Sequence, residues 1–212
     1  PADNSITLAK MASGTDGNII SYDTSGNPVA VATGSSGQVL TSAGAGAVPS
    51  FQAAAAGGKI NQVIYNSNAT MSQMSSTSFA AISGCSIVIT PSASNSRIFL
   101  TYYLSVGLNQ QSYAFFQAFR DTTKIQSQNN AGSRIGCTVA HGRNNGSEAN
   151  NQVMTVCFNI VDSPNTTNQV TYTVKASTAS GSTITFNRTP NDNNDGDTAR
   201  PTSGITAMEI LA

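Results

Sequence analysis

Arg97-Ile98-Phe99-Leu100-Thr101-Tyr102-Tyr103-Leu104-Ser105-Val106 is the stretch that decides the fold. Ile98, Leu100, Tyr102, Leu104 and Val106 fall on one face, and Phe99, Thr101, Tyr103 and Ser105 on the other. A period of two belongs to an extended strand, whose successive Cβ atoms point to opposite sides. Both faces carry apolar groups, which predicts a central strand or one that also meets a partner subunit. The alternation recurs along the chain. Met154, Val156, Phe158 and Ile160 share a face, and Val170, Tyr172, Val174 and Ala176 alternate with Thr171, Thr173 and Lys175. Ile184 and Phe186 alternate with Thr183, Thr185 and Asn187. Gln62–Tyr65, Ser86–Thr90, Tyr113–Arg120, Ile135–Ala140 and Ile205–Leu211 are further strand candidates. Asp121-Thr122-Thr123 reads as a hairpin turn between Ala118–Arg120 and Lys124–Gln126. Many strands, polar turns and no useful helical period predict an all-β protein. Its main body, residues 59–212, is expected to be an antiparallel β-sandwich.

The alternation stops N-terminal to Lys59. Residues 1–58 hold half of the chain's 18 glycines and only four charged residues, Asp3, Lys10, Asp16 and Asp23. Here one pattern is written twice, 20 residues apart: Gly14 recurs as Gly34, Gly17 as Gly37, Ile19-Ile20 as Val39-Leu40, Ser21 as Thr41 and Gly26 as Gly46. Ile19–Tyr22 and Val29–Val31 read as short strands around the turn-rich Asp23-Thr24-Ser25-Gly26-Asn27, and the second copy repeats this around Ala43–Gly46. Gly14, Gly17, Gly34 and Gly37 read as turn positions. Each copy offers about five sizeable apolar side chains, too few to offset the entropy of ordering 20 residues. Short repeats of this kind bury their apolar face against neighbours. The segment is therefore expected to need other chains. Ala53–Gly58 reads as a linker.

Composition narrows the function. Formal net charge is zero and charged residues make up 9% of the 212, against about 25% in ordinary globular domains. No basic stripe exists to follow a phosphate backbone, so nucleic acid is not expected as a partner. A hydrophobic content of 39% excludes simple disorder. The longest apolar runs are strand-sized, so no membrane insertion is expected. The leading PADNSITLAKM lacks the basic and apolar regions of a signal peptide. Cys85, Cys137 and Cys157 are too few and too irregular for a disulfide framework.

The repeat GTDGNIISYDTSGNPVAVATGSSGQVLTSAGAGAVPSFQ resembles segments of bacteriophage tail-fibre proteins, and DNSITLAKMASG resembles their shaft motif. This resemblance covers about residues 3–52. The remainder is similar to the tip domains that follow such shafts, through SRIFLTYYLSVG, VDSPNTTNQVTYTV and the closing ITAMEI. It implies a homotrimer with jelly-roll tips of the C1q/TNF type packed around an axis. It also implies a virion protein assembled in the host cytoplasm. Residues 1–58 would be a shaft or arm docking on tail, baseplate or capsid, and 59–212 the knob that meets a host glycan or outer-membrane receptor. A head fibre or capsid decoration protein with a structural role is the alternative, and a glycan depolymerase a further one.

The residues themselves offer little catalytic chemistry, and no cofactor is expected. His141 is the only histidine, with Cys137 four residues upstream, and no third orienting group accompanies them. Zinc is not expected, because Cys137, His141 and Cys157 lack paired short spacings. Asn191, Asn193 and Asp195 followed by Gly196 imitate part of a calcium loop, but Thr202 stands where the closing glutamate belongs, so an Asx-rich turn is expected. Glu209, in a terminal strand, is expected to pair with an arginine, and Asp162 to serve the turn Asp162–Asn165. Tyr102, Tyr103, Tyr113, Phe115 and Phe116 are aromatic candidates for sugar contact, with packing as the plain alternative. Loops at the ends of a sandwich carry recognition. Receptor contact is therefore expected in loops 107–113, 126–134, 141–151 and 189–203. Asn109, Gln110, Tyr113, Asn129, Asn130, His141, Arg143, Asn145, Asn191 and Asp195 are the nominated residues.

Overall fold

The computed structural model describes residues 13–54, 60–109, 112–142, 152–179 and 181–211. The chain divides into two compact units, Pro1–Ala56 and Gly57–Ala212. No helix occurs among the described residues.

The first unit holds two hairpins, one per sequence repeat. β1 (Ile19–Tyr22) pairs with β2 (Pro28–Val31), and β3 (Gln38–Thr41) with β4 (Ser50–Ala53). The turn of the first hairpin is an Asx turn: Asp23 Oδ1 accepts the Ser25 and Asn27 amides at 2.8 and 2.9 Å. These hydrogen bonds, the Asn27 amide's foremost, hold the exposed Asp23 carboxyl below its ordinary range. The repeated Gly17 and Gly37 occupy the left-handed region, with φ of 79° and 84°, which is why the pattern demands glycine there. Gly34 serves differently: a Cβ on it would lie 2.5 Å from Phe51, so the strand β4 passes directly against it.

The second unit is two antiparallel sheets enclosing one core. The first sheet is built on β8 (Arg97–Leu108). β12 (Val153–Asp162) lines one edge of β8 from Gly107 to Ile98. The other edge is shared by β15 (Ser203–Ile210) and β14 (Ile184–Phe186), and β5 (Ile60–Asn68) and β6 (Ser72–Met74) complete that side. The second sheet contains β7 (Ala80–Ile89), β13 (Val170–Thr178) and β9 (Tyr113–Arg120), with β10 (Thr123–Ile125) and β11 (Val139–Gly142) both on β9's far edge. Of the two faces of β8, the one carrying Ile98, Leu100, Tyr102, Leu104 and Val106 is the buried one, and all five are fully enclosed. They pack against the inward residues of the other sheet, among them Ile87, Ile89, Phe116, Ala118, Tyr172, Val174 and Ala176.

The hairpin after Arg120 is tighter than the sequence suggested. Thr123 already pairs with Arg120, which leaves a two-residue turn. Asp121 adopts φ 52°, as the first position of such a turn requires, and is held by its carboxylate accepting the Thr171 amide at 2.9 Å. The expected strand Ile135–Ala140 is a second difference, since only Val139 and Ala140 belong to a strand. Gly136 is drawn into a local fold instead. It donates its amide to Asn130 Oδ1 at 2.8 Å, and its carbonyl accepts the buried Gln117 Nε2 at 2.7 Å.

Candidate functional site

One end of the sandwich is formed by the C-terminal end of β8 and the start of β9. There Tyr113 opens β9 opposite Gly142, and a Cβ on Gly142 would lie 2.5 Å from the Tyr113 ring. The ring therefore lies across that glycine and stays half-exposed, at 46%. His141 Nε2 approaches Met154 Sδ at 2.9 Å. Asn109, directly after β8, is half-buried. Three nominated residues are thus gathered by adjacent strand ends. Gln110, Arg143 and Asn145 lie outside the described residues, as does Glu148.

Asn191 and Asp195 belong to a separate excursion, residues 187–202, which leaves the first sheet between β14 and β15. Its base is locked. Asn187 is buried with φ 58°, donates to the Asn68 and Thr70 carbonyls at 3.0 and 2.9 Å, and accepts the Ser203 hydroxyl. Gly107 makes the crossing possible, since a Cβ there would meet Thr185 Oγ1 at 2.3 Å and Pro190 Cδ at 2.7 Å. Within the loop, Arg200 grips Asp192 through two hydrogen bonds of 2.9 Å, and this guanidinium holds the carboxyl below its ordinary range. Asp195 Oδ1 accepts the Asp197 amide, and the carbonyls of Asn193 and Asp195 accept the Thr198 hydroxyl. These are the contacts of an Asx-rich turn that satisfies itself.

Asn129 and Asn130 are exposed on a third feature, the connection from β10 to β11. That connection borders a cleft of about 460 Å³ lined by Gln126, Ser127, Gln128, Cys137, Thr138, Phe158 and Asn159. The lining joins a loop of the second sheet to β12 of the first. The run Gln126–Asn130 was visible as amide-rich in the sequence, whereas nothing in the alternation placed Phe158 and Asn159 beside it. Only the folding of the two sheets does so.

Two of the aromatic candidates are core residues. Tyr102 and Phe116 are fully buried. Burial also raises the phenol pKa of Tyr102. Tyr103 lies on the outer face of the first sheet, with its hydroxyl 2.8 Å from that of Tyr65, and Phe115 is half-buried.

The two internal carboxylates differ from expectation. Glu209 does not pair with an arginine. It is fully buried and takes five hydrogen bonds from neutral donors: Asn61 Nδ2 at 2.9 Å, Gln62 Nε2 at 2.7 Å, the Ser92 amide at 2.6 Å, Ser92 Oγ at 2.8 Å and Ser96 Oγ at 2.7 Å. Burial pushes its pKa up, but the donors outweigh it and bring it down to about 2. Asp162, expected to serve its own turn, pairs with Arg120 Nη1 at 2.7 Å and accepts the Tyr172 hydroxyl at 2.7 Å. Burial and that hydrogen bond push the Tyr172 phenol up. Glu209 and Asp162 both stand opposite Ile98, on either side of β8, so two strand spacings of about 4.8 Å separate them. Glu209 does not suit the general-acid role of a glycan-cleaving pair, because that role needs a raised pKa and Glu209 has a lowered one.

Cys137 precedes β11, so it does not share a strand face with His141. Burial pushes its thiol up, away from the reactive thiolate. Among the described residues, no group of three His, Cys, Asp or Glu could hold a metal ion. No protein-family model matches the chain, and no curated protein matches it.

Proposed function

We propose that the chain is a bacteriophage virion fibre protein, a homotrimer with a docking arm and a jelly-roll knob that contacts the host surface. One observation carries the reading: both units leave ordered apolar surface uncovered within their own fold. In the first unit Val31 is the single buried hydrophobic residue among those described, while Ile19, Ile20, Tyr22, Val39 and Leu40 are between 39% and 65% exposed. The equivalent positions of both repeats, Ile19-Ile20 and Val39-Leu40, are exposed alike, as in repeats that close on identical neighbours. In the second unit the outer face of the first sheet carries a continuous apolar row. By register it runs from Val63 across Met208 and Phe99 to Val161, with Ile60 and Ile210 paired beside it. Val63, Tyr65 and Ile60 are each more than half exposed. An extended apolar face rimmed by polar residues marks an association surface. The number three and the virion come from the likeness of the repeats and the tip motifs to phage tail fibres. Host contact falls to the loops, whose amide and tyrosine side chains are free to be selected without disturbing the core.

Sedimentation equilibrium on the intact protein tests the assembly. The reading expects a species of three times 21.8 kDa, together with adsorption of the purified protein to a susceptible bacterium. A chain that stays single at micromolar concentration overturns it.

A further inference from the structure

The cleft between the β10–β11 connection and β12 has the makings of a ligand site. Gln126 and Gln128 bring carboxamides to it and Asn159 borders it from β12, and none of the three makes a side-chain hydrogen bond among the described residues. Each offers both an acceptor and two donors. Beside them Ser127 and Thr138 hold their hydroxyls 2.6 Å apart. Phe158 supplies an apolar wall, and its ring is stacked on buried Tyr102 with centroids 4.6 Å apart, which fixes its orientation. No acidic or basic side chain lines the cleft. Its volume, about 460 Å³, falls within the roughly 300–1,000 Å³ of small-ligand sites.

The loop that presents these groups is ordered before any ligand arrives. Gln126 takes φ 44°, outside the usual range for a side-chain-bearing residue. The Gln128 amide donates to the Cys137 carbonyl at 3.3 Å, and Ala131 and Arg134 bridge the tip. Gly136 fits under the loop only as glycine, since a Cβ would lie 2.2 Å from the Gln128 carbonyl oxygen. A strained, cross-braced loop that already holds these carboxamides in place lowers the entropic cost of binding.

We propose that this cleft binds one uncharged sugar residue of a surface glycan, with the C–H face of the ring on Phe158 and its hydroxyls on Gln126 and Gln128. The chemistry selects this class. Sugar hydroxyls both donate and accept, matching carboxamides, and the ring's C–H bonds suit the negative face of an aromatic. An acidic sugar would find no guanidinium in the lining to meet its carboxylate. The proposal rests on the host-contact reading and assigns that contact to a place. A single such site is expected to be weak, with a Kd on the order of 1 mM, and repeated copies would raise the working affinity.

The test uses the intact protein in saturation-transfer NMR with methyl β-D-galactoside, methyl α-D-glucoside, N-acetylglucosamine and N-acetylneuraminic acid. Cell adsorption to a panel of bacterial strains runs in parallel. A neutral sugar should give transfer, and Gln126→Ala with Gln128→Ala, both exposed positions, should weaken it about tenfold without lowering the melting temperature. No transfer to any neutral sugar, transfer to the acidic sugar alone, or an undiminished signal in the double variant overturns the site. Adsorption that persists in the double variant refutes the cleft while sparing host contact. Sugar binding lost in the variant, with no strain adsorbed by the wild type, spares the cleft and refutes host contact.

Discussion

The two units are both antiparallel β structure, yet they solve the burial problem in opposite ways. The sandwich closes on itself: ten side chains of β8, β9 and β13, from Ile98 to Val106, Phe116 and Ala118, and Tyr172 to Ala176, are completely enclosed. The paired hairpins enclose Val31 and little else. The difference lies in geometry more than composition, since Ile19-Ile20 and Val39-Leu40 are as apolar as Ile87–Ile89. A hairpin of two four-residue strands has no second layer to face, and marginal stability is the rule for such ribbons in isolation. Local sequence can therefore specify strands in both units while only one of them encloses its apolar side chains within its own fold.

The sharpest way to break this comparison is to remove matching apolar groups. Leu100→Ala should cost the sandwich about 2–5 kcal/mol, read from chemical denaturation of the intact protein. Ile20→Ala with Leu40→Ala should change that same transition by less than about 0.5 kcal/mol, because those side chains are already wet. The pair should instead weaken association, raising the protein concentration below which the assembly dissociates. Equal losses from the two experiments would remove the distinction between the units.

Gly107→Ala probes the sandwich's tolerance from the other direction. The added methyl meets Thr185, Pro190 and the Arg188 carbonyl, and overpacking of this kind should cost about 1–3 kcal/mol in the same measurement. A neutral result would mean that the 187–202 excursion lifts off easily.

Glu209 adds a pH dependence that belongs to the sandwich alone. Its folded pKa, about 2, lies below its ordinary 4.5, so the folded state binds the proton less readily than the unfolded state. The stability it contributes is complete above pH 4.5 and fades as pH falls toward 2. Thermal melts from pH 6 to pH 2 should show this loss, and Glu209→Gln should flatten it. A wild type with no acid sensitivity in that window would contradict the five-donor arrangement. The smallest effect is expected from Arg200→Ala, which breaks an exposed pair with Asp192. The melting temperature should not move, while amide exchange of the excursion should quicken.

Much of the sandwich was legible in the sequence because a two-residue period needs no partner to be recognised. The faces of Ile98–Val106 and Val170–Ala176 follow from alternation alone, and the repeat of Gly17 at Gly37 announces positive φ wherever the chain ends up. What alternation misses is anything set by contacts distant along the chain. Glu209 reads as a carboxylate in need of an arginine until β5 brings Asn61 and Gln62, and the turn after β7 brings Ser92 and Ser96. Ile135–Cys137 reads as strand until Gln117 captures Gly136. Tyr102 reads as a usable aromatic until the second sheet covers it.

The sequence by itself determined most of the extended segments, the alternating faces of the long strands and how few large apolar side chains each repeat carries. Those properties reside in each residue's neighbours along the chain. Only the tertiary structure decided which polar groups are satisfied and which remain open. It placed Phe158 and Asn159 beside Gln126 and Gln128, and it surrounded Glu209 with donors. Hydrogen bonds and clefts depend on distances of a few ångströms between residues far apart in the chain, and no local period encodes those distances.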